Sequence, residues 1–198
     1  AADYKRQLID QHRATATNQL TALRSQVDQA RATLLAAAAD ADRPAGFETT
    51  QLLAELRTQR AWARLRALLD SGRDWQTLVS EAEQAGDQAA IRALTEELPA
   101  WLRARAPMTL GGQEPDLTEV TQRLDVANVR VFGDNLGHGY AARLRLHVAA
   151  RYPLAVATLD AAGRAITSGG SLADSYATTD AEQAAARIEA LIAVPASV

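Results

Sequence analysis

The first 43 residues contain neither glycine nor proline, and the earliest breakers are Pro44 and Gly46. Within that stretch Ile9, Ala16, Leu20, Leu23, Val27, Ala30 and Leu34 recur at alternating spacings of three and four, after an initial seven, with Arg13 as the one interruption. That spacing is a heptad seam, and it predicts one long helix over about residues 3–41. At 1.5 Å per residue such a helix is about 60 Å long. A compact domain of this size does not ordinarily bury a helix over that length. Two packings follow from the pattern. In one the helix lies in a bundle within its own chain. In the other Leu20, Leu23, Val27 and Leu34 form a seam that binds another subunit.

Composition points the same way. Alanine fills 44 of 198 positions and aromatic residues only 5%. Alanine is the best helix former and lets helices approach closely. A β-sandwich would want more aromatic and β-branched residues. The chain is therefore expected to be mainly α. A net charge of -3 with 47% hydrophobic residues excludes a strongly charged disordered chain. It also excludes a protein that holds nucleic acid by overall positive charge. No apolar run approaches the roughly 18–20 residues of a membrane span. The absence of cysteine excludes disulfides, thiolate catalysis and Cys-ligated zinc. No apolar h-region follows Ala1-Ala2-Asp3, so a signal peptide is not expected.

After the break at 40–46, a second helix is expected from Glu48 to Ser71, with Leu52, Leu53, Leu56, Leu65, Leu68 and Leu69 as its apolar stripe. Gly72 is its stop. Asp74 caps a third helix to Ala85, and Gly86-Asp87 closes one helix and opens the next. That fourth helix meets Pro99, which is expected to kink or restart it before Trp101 and Leu102. Two prolines and two glycines between Pro107 and Pro115 suggest a linker. The division expected is a helical region at 1–106, a linker at 107–115 and a mixed, mainly helical region at 116–198. The second half is less regular. Asp116 with Glu119 resembles a capping box, as does Thr179 with Glu182. Residues 140–151 are expected to be helical, whereas 154–167 fits either a small β-hairpin or an irregular helix.

The search for chemistry yields little. His12, His138 and His147 are never four residues apart, so no helical metal pair exists, and no cofactor is expected. His138 lies between Gly137 and Gly139, near Asp134 and Asn135, the one place where a loop could carry a general base. Without a nucleophile or metal partner, Gly133–Gly139 is expected to be a structural turn. No Walker or dinucleotide fingerprint surrounds its glycines. Arg57, Arg60 and Arg64, spaced at three and four, share one helix face. Arg143, Arg145 and Arg151 form a second basic cluster. Such stripes grip carboxylates or phosphates. The acidity of the whole chain favours a protein partner over nucleic acid.

The opening Asp3-Tyr4-Lys5-Arg6-Gln7-Leu8 helix and the hairpin from Trp75-Gln76-Thr77-Leu78-Val79 through Gly86-Asp87 to Leu98-Pro99-Ala100-Trp101-Leu102 carry a likeness. In style and composition the first half resembles small helical proteins encoded beside capsid genes of actinobacterial phages. The resemblance implies a virion or assembly component, with no catalytic residue to carry over. The function expected is that of a non-enzymatic structural or assembly protein of a larger particle, in the cytoplasm or a virion. It would bind other protein subunits through Leu20, Leu23, Val27, Leu34, Arg57, Arg60 and Arg64. The alternative is a cytosolic helical regulator of a small ligand or nucleic acid.

Overall fold

Seven helices account for the ordered elements of the computed structural model, which describes residues 2–43, 46–106, 115–133, 137–168 and 172–193. They are α1 (Ala2–Ala41), α2 (Glu48–Asp70), α3 (Trp75–Gln84), α4 (Gln88–Arg105), α5 (Thr118–Phe132), α6 (Gly137–Ser168) and α7 (Leu172–Ala193). The fold is mainly α, and no strand occurs among the described residues.

The chain divides into two compact units, one of them built from two separate stretches of sequence. One is formed by Ala1–Ala36 with His147–Val194, the other by Ala37–Leu146. This division differs from the boundary at 107–115, of which residues 107–114 lie outside the described residues. The reason is visible in the core. Leu117, Val120, Leu124 and Ala127 pack into the same apolar cluster as Leu65, Leu78, Ile91, Leu94 and Leu98. Residues on both sides of the expected linker thus share one interior.

In the second unit α4 is the hub, touching α2, α3 and α5. Ile91, Ala93, Leu94 and Leu98 are completely buried along it. Asp74 and Asp87 cap α3 and α4 as expected, each accepting a backbone N–H from the third residue on, Thr77 and Ala90 at 3.0 Å. Pro99 neither ends nor restarts α4, which is continuous to Arg105. The helix around it is pinned by Leu98 on one side and by half-buried Trp101 and Leu102 on the other. At α5 the capping role of Asp116 is met in altered form: Leu117 is the N-cap position, and Asp116 accepts from the Thr118 amide and hydroxyl at 2.9 and 2.6 Å. Nearly every residue from Leu124 to Val129 is buried, including Asp125 and Asn128. Asn128 is satisfied by donating to Thr95 Oγ1 and to the Leu124 carbonyl.

In the first unit α1 runs beside α6. Arg24 pairs with Asp160 at 2.5 Å, Tyr152 donates its hydroxyl to Asp28 at 2.8 Å, and Arg31 lies 4.6 Å over the Tyr152 ring. Arg151 of α6 pairs with Glu189 of α7. Of the two alternatives at 154–167 the helical one is realised, since those residues lie inside α6 and no hairpin forms there. Alternation of apolar residues there is outweighed by the alanines, the best helix formers. Thr158, Thr167 and Ser168 each donate to the carbonyl four residues back. Gly163 lies inside α6 beside Leu20, and a Cβ there would make ordinary contact with Leu20 Cδ1 at 3.9 Å. The Thr179 capping box is overruled too, because α7 begins at Leu172 and Thr179 lies in its interior.

Candidate functional site

Part of the α1 seam finds its neighbours in its own chain, while Ile9 and Leu23 stay exposed. Leu20 borders a groove with Leu159, Asp160 and Gly163 of α6, and Val27 and Leu34 border another with Val148, Tyr152 and Ala155. Leu20, Val27 and Leu34 are half-buried there, while Leu23 points outward and is 47% exposed. Of the expected interface residues, the three that flank these grooves are thus occupied by α6.

Helix α2 is different, because it has two faces. At about 100° per residue, Ala54, Thr58, Ala61, Leu65 and Leu69 fall together. They form its inner side, buried or half-buried, and α2 packs on α4. Leu52, Leu56 and Ala63 fall on the opposite side, with Leu53 and Arg60 beside them. Leu52 and Leu53 are each 57% exposed and Leu56 is 41% exposed. Phe47, at the N-cap of α2, is 86% exposed. Isolated exposed leucines are ordinary on soluble proteins, but a contiguous cluster marks a contact surface. Of the stripe expected from sequence, the structure buries or half-buries the second half, Leu65, Leu68 and Leu69, and leaves the first half outside.

Arg57, Arg60 and Arg64 are all exposed along one edge of this outer face. Arg64 reaches Asp87 at 3.1 Å, a solvent-exposed pair. Among the described residues Arg57 and Arg60 make no ion pair. The other edge carries Glu48 and Glu55, the latter touched by Gln59. The outer face therefore has an apolar centre, a basic edge and an edge with two carboxylates. The second basic cluster is dispersed by the fold, since Arg145 turns into the second unit and Arg151 is held by Glu189 in the first.

Two partly buried ionic knots hold the second unit, and neither is among the expectations drawn from sequence. In the first, Glu83 of α3 accepts from Arg123 and Arg130 of α5 at 2.5 and 2.6 Å. Burial works to raise the Glu83 carboxyl, yet the hydrogen bonds from Arg130 and Arg123 outweigh it and hold the group below its ordinary value. In the second, Asp42 accepts from His138 Nδ1 at 2.5 Å and from Arg145 at 2.8 Å, and Arg145 also donates to Asp125 at 2.8 Å. The bond from His138 and the Arg145 charge, against some burial, hold Asp42 below the usual carboxylate range. Burial pushes Asp125 up against the pull of Arg145.

His138 thus has an orienting carboxylate after all, supplied by Asp42 rather than by Asp134, which lies outside the described residues with Asn135. The ring also packs edge-on against Phe132, with centroids 5.3 Å apart. A Cβ on Gly139 would fall 1.6 Å from the Gly133 carbonyl oxygen, so the start of α6 can press on the end of α5 only with glycine there. The knot joins the end of α1, α5 and the first turns of α6. Among the described residues no group of three or more His, Asp or Glu side chains could hold a metal ion. No family model matches this chain, and neither a curated protein nor a solved structure is similar to it. Likewise no described helix is long and apolar enough to cross a membrane.

Proposed function

We propose that this chain is a non-enzymatic structural or assembly protein of a larger particle, and that another protein subunit docks on the outer face of α2. One observation carries the reading: Leu52, Leu53 and Leu56 form an exposed apolar cluster on a helix whose opposite side is already committed to the core. A helix used on both sides is what a subunit needs when one face builds the domain and the other builds the assembly. The α1 seam is a secondary contact at most, because α6 borders Leu20, Val27 and Leu34. The setting suggested by the phage likeness, a virion, is part of this proposal and rests on that likeness.

The double variant Leu52→Ser/Leu56→Ser tests the reading. Fully burying a leucine contributes about 1.5–3 kcal/mol, so losing two at an interface weakens association by about 100-fold or more. Both side chains are outside the core, so thermal unfolding of the isolated chain should stay close to that of the wild type. Mass photometry of the protein isolated from its own cells should show a high-mass assembly for the wild type and free chain for the variant. A variant that still assembles fully would remove α2 from the interface.

A further inference from the structure

We infer that the subunit docking on α2 presents an amphipathic helix with a row of carboxylates along one flank. The inference rests on the assignment of the outer α2 face as a docking surface and adds the chemistry of its occupant. Three observations on that face choose it. The centre, Leu52 and Leu56 one turn apart with Leu53 towards the basic edge, is a strip one helix wide that a partner helix laid along it would cover. One edge, Arg57 and Arg60, has cations with no ion pair among the described residues, continued by Arg64 on its exposed pair with Asp87. The other edge carries Glu48 and Glu55, so the two flanks of the partner must differ. Edge charges of this kind set partner choice and orientation in helix pairs.

The same charges argue against a second copy of this chain laid antiparallel on the face. In a twofold self-pairing of antiparallel α2 helices, each edge meets its own copy. The basic edge would then face a basic edge and the edge of Glu48 and Glu55 its own copy, whereas a parallel pairing would set Glu55 against Arg60, an arrangement that self-association of the chain would reveal. A nucleic acid satisfies the arginines but leaves the three leucines against a phosphate backbone, which offers them no apolar surface. A carboxylate-flanked helix satisfies both the centre and the basic edge.

The test uses the full chain and two three-heptad helical peptides with leucine at both seam positions and glutamine on one flank. The other flank carries glutamate in one peptide and lysine in the other. Fluorescence anisotropy should show the glutamate peptide binding at least about 10-fold more tightly than the lysine peptide, with binding weakened as ionic strength rises. Arg57→Glu/Arg60→Glu, with circular dichroism unchanged, should reverse the preference. Leu52→Ser/Leu56→Ser should abolish binding of both.

Equal binding of the two peptides, lost in the leucine variant, would overturn the carboxylate partner while leaving α2 as a docking face. Self-association lost in the leucine variant, without peptide binding, would assign the face to a second copy and overturn the inference alone. Binding to phosphatidylcholine–phosphatidylserine vesicles but to neither peptide would assign it to a lipid surface. That result, or no binding of any kind, would overturn the inference and the docking reading together.

Discussion

Replacing Arg145 with methionine should destabilise the protein by about 2–4 kcal/mol at neutral pH, somewhat less than the 3–5 kcal/mol typical of breaking a fully buried ion pair, because the Arg145 side chain keeps 29% exposure. Methionine conserves most of the stem, so the loss is chiefly electrostatic. Asp125, with a side chain only 12% exposed, would remain ionised in the interior with its guanidinium gone. Asp42 would keep only His138.

The pH dependence separates this cause from lost packing. Burial already raises Asp125 in the native protein, and removing Arg145 raises it further. A group whose folded pKa lies above its unfolded value contributes fully at low pH, and that contribution is lost as pH rises through the folded value. The deficit of the variant should therefore be largest near pH 7 and shrink as pH falls towards 4.5. The wild type has the opposite dependence through Asp42 and Glu83. Both are held below their ordinary values of 3.8 and 4.5, so their contribution is present above those values and lost as pH falls through the lowered ones. Urea unfolding of both proteins between pH 7.5 and 4.5 measures the difference, and a deficit independent of pH would assign it to packing instead.

Leu94→Ala should cost about 2–5 kcal/mol. Leu94 is completely buried on α4, the helix that touches α2, α3 and α5. The cavity would open within the cluster containing Leu65, Leu78, Ile91, Leu98 and Leu124. Because α2 is held through that cluster, the variant links core to function: its assembly should fail at the temperature where the core melts, whereas Leu52→Ser/Leu56→Ser fails without a change in melting. Calorimetry of Leu94→Ala showing a wild-type midpoint would contradict the placement of α4 at the centre.

The helices were legible because their signals are local. The absence of breakers before Pro44 gave α1, and Asp74, Gly86 and Asp87 gave the α3–α4 hairpin, whose caps are in place. Leucine counting along α2 was half right. Periodicity shows that Leu52, Leu53, Leu56 and Leu65 are apolar, but whether a neighbour covers each of them depends on α4, which covers one side only. At 154–167 the sequence leaves a hairpin and a helix open because Gly163 reads locally as a turn residue, whereas it sits beside Leu20 inside α6. The ionic knots were illegible for a different reason. Asp42 lies 96 positions from His138 and 103 from Arg145, and no spacing rule reaches that far. A usable local signal does exist: Asp125 and Asn128 interrupt the otherwise apolar run Leu124 to Val129 of α5. A carboxylate there needs a cation as partner, and Arg145 supplies it.

The absence of cysteine makes the central claim directly measurable, because a single introduced thiol is the only one in the chain. Leu56→Cys places it at the middle of the outer face of α2, and Glu97→Cys places a control on an exposed position of α4. Maleimide labelling should be fast at both positions in the isolated chain. In the native assembly, labelling should slow by about 10-fold or more for Leu56→Cys and remain unchanged for Glu97→Cys, since burying a site lowers its reactive population by the fraction of time it is closed. Equal labelling rates for Leu56→Cys in the free and assembled protein would contradict the account.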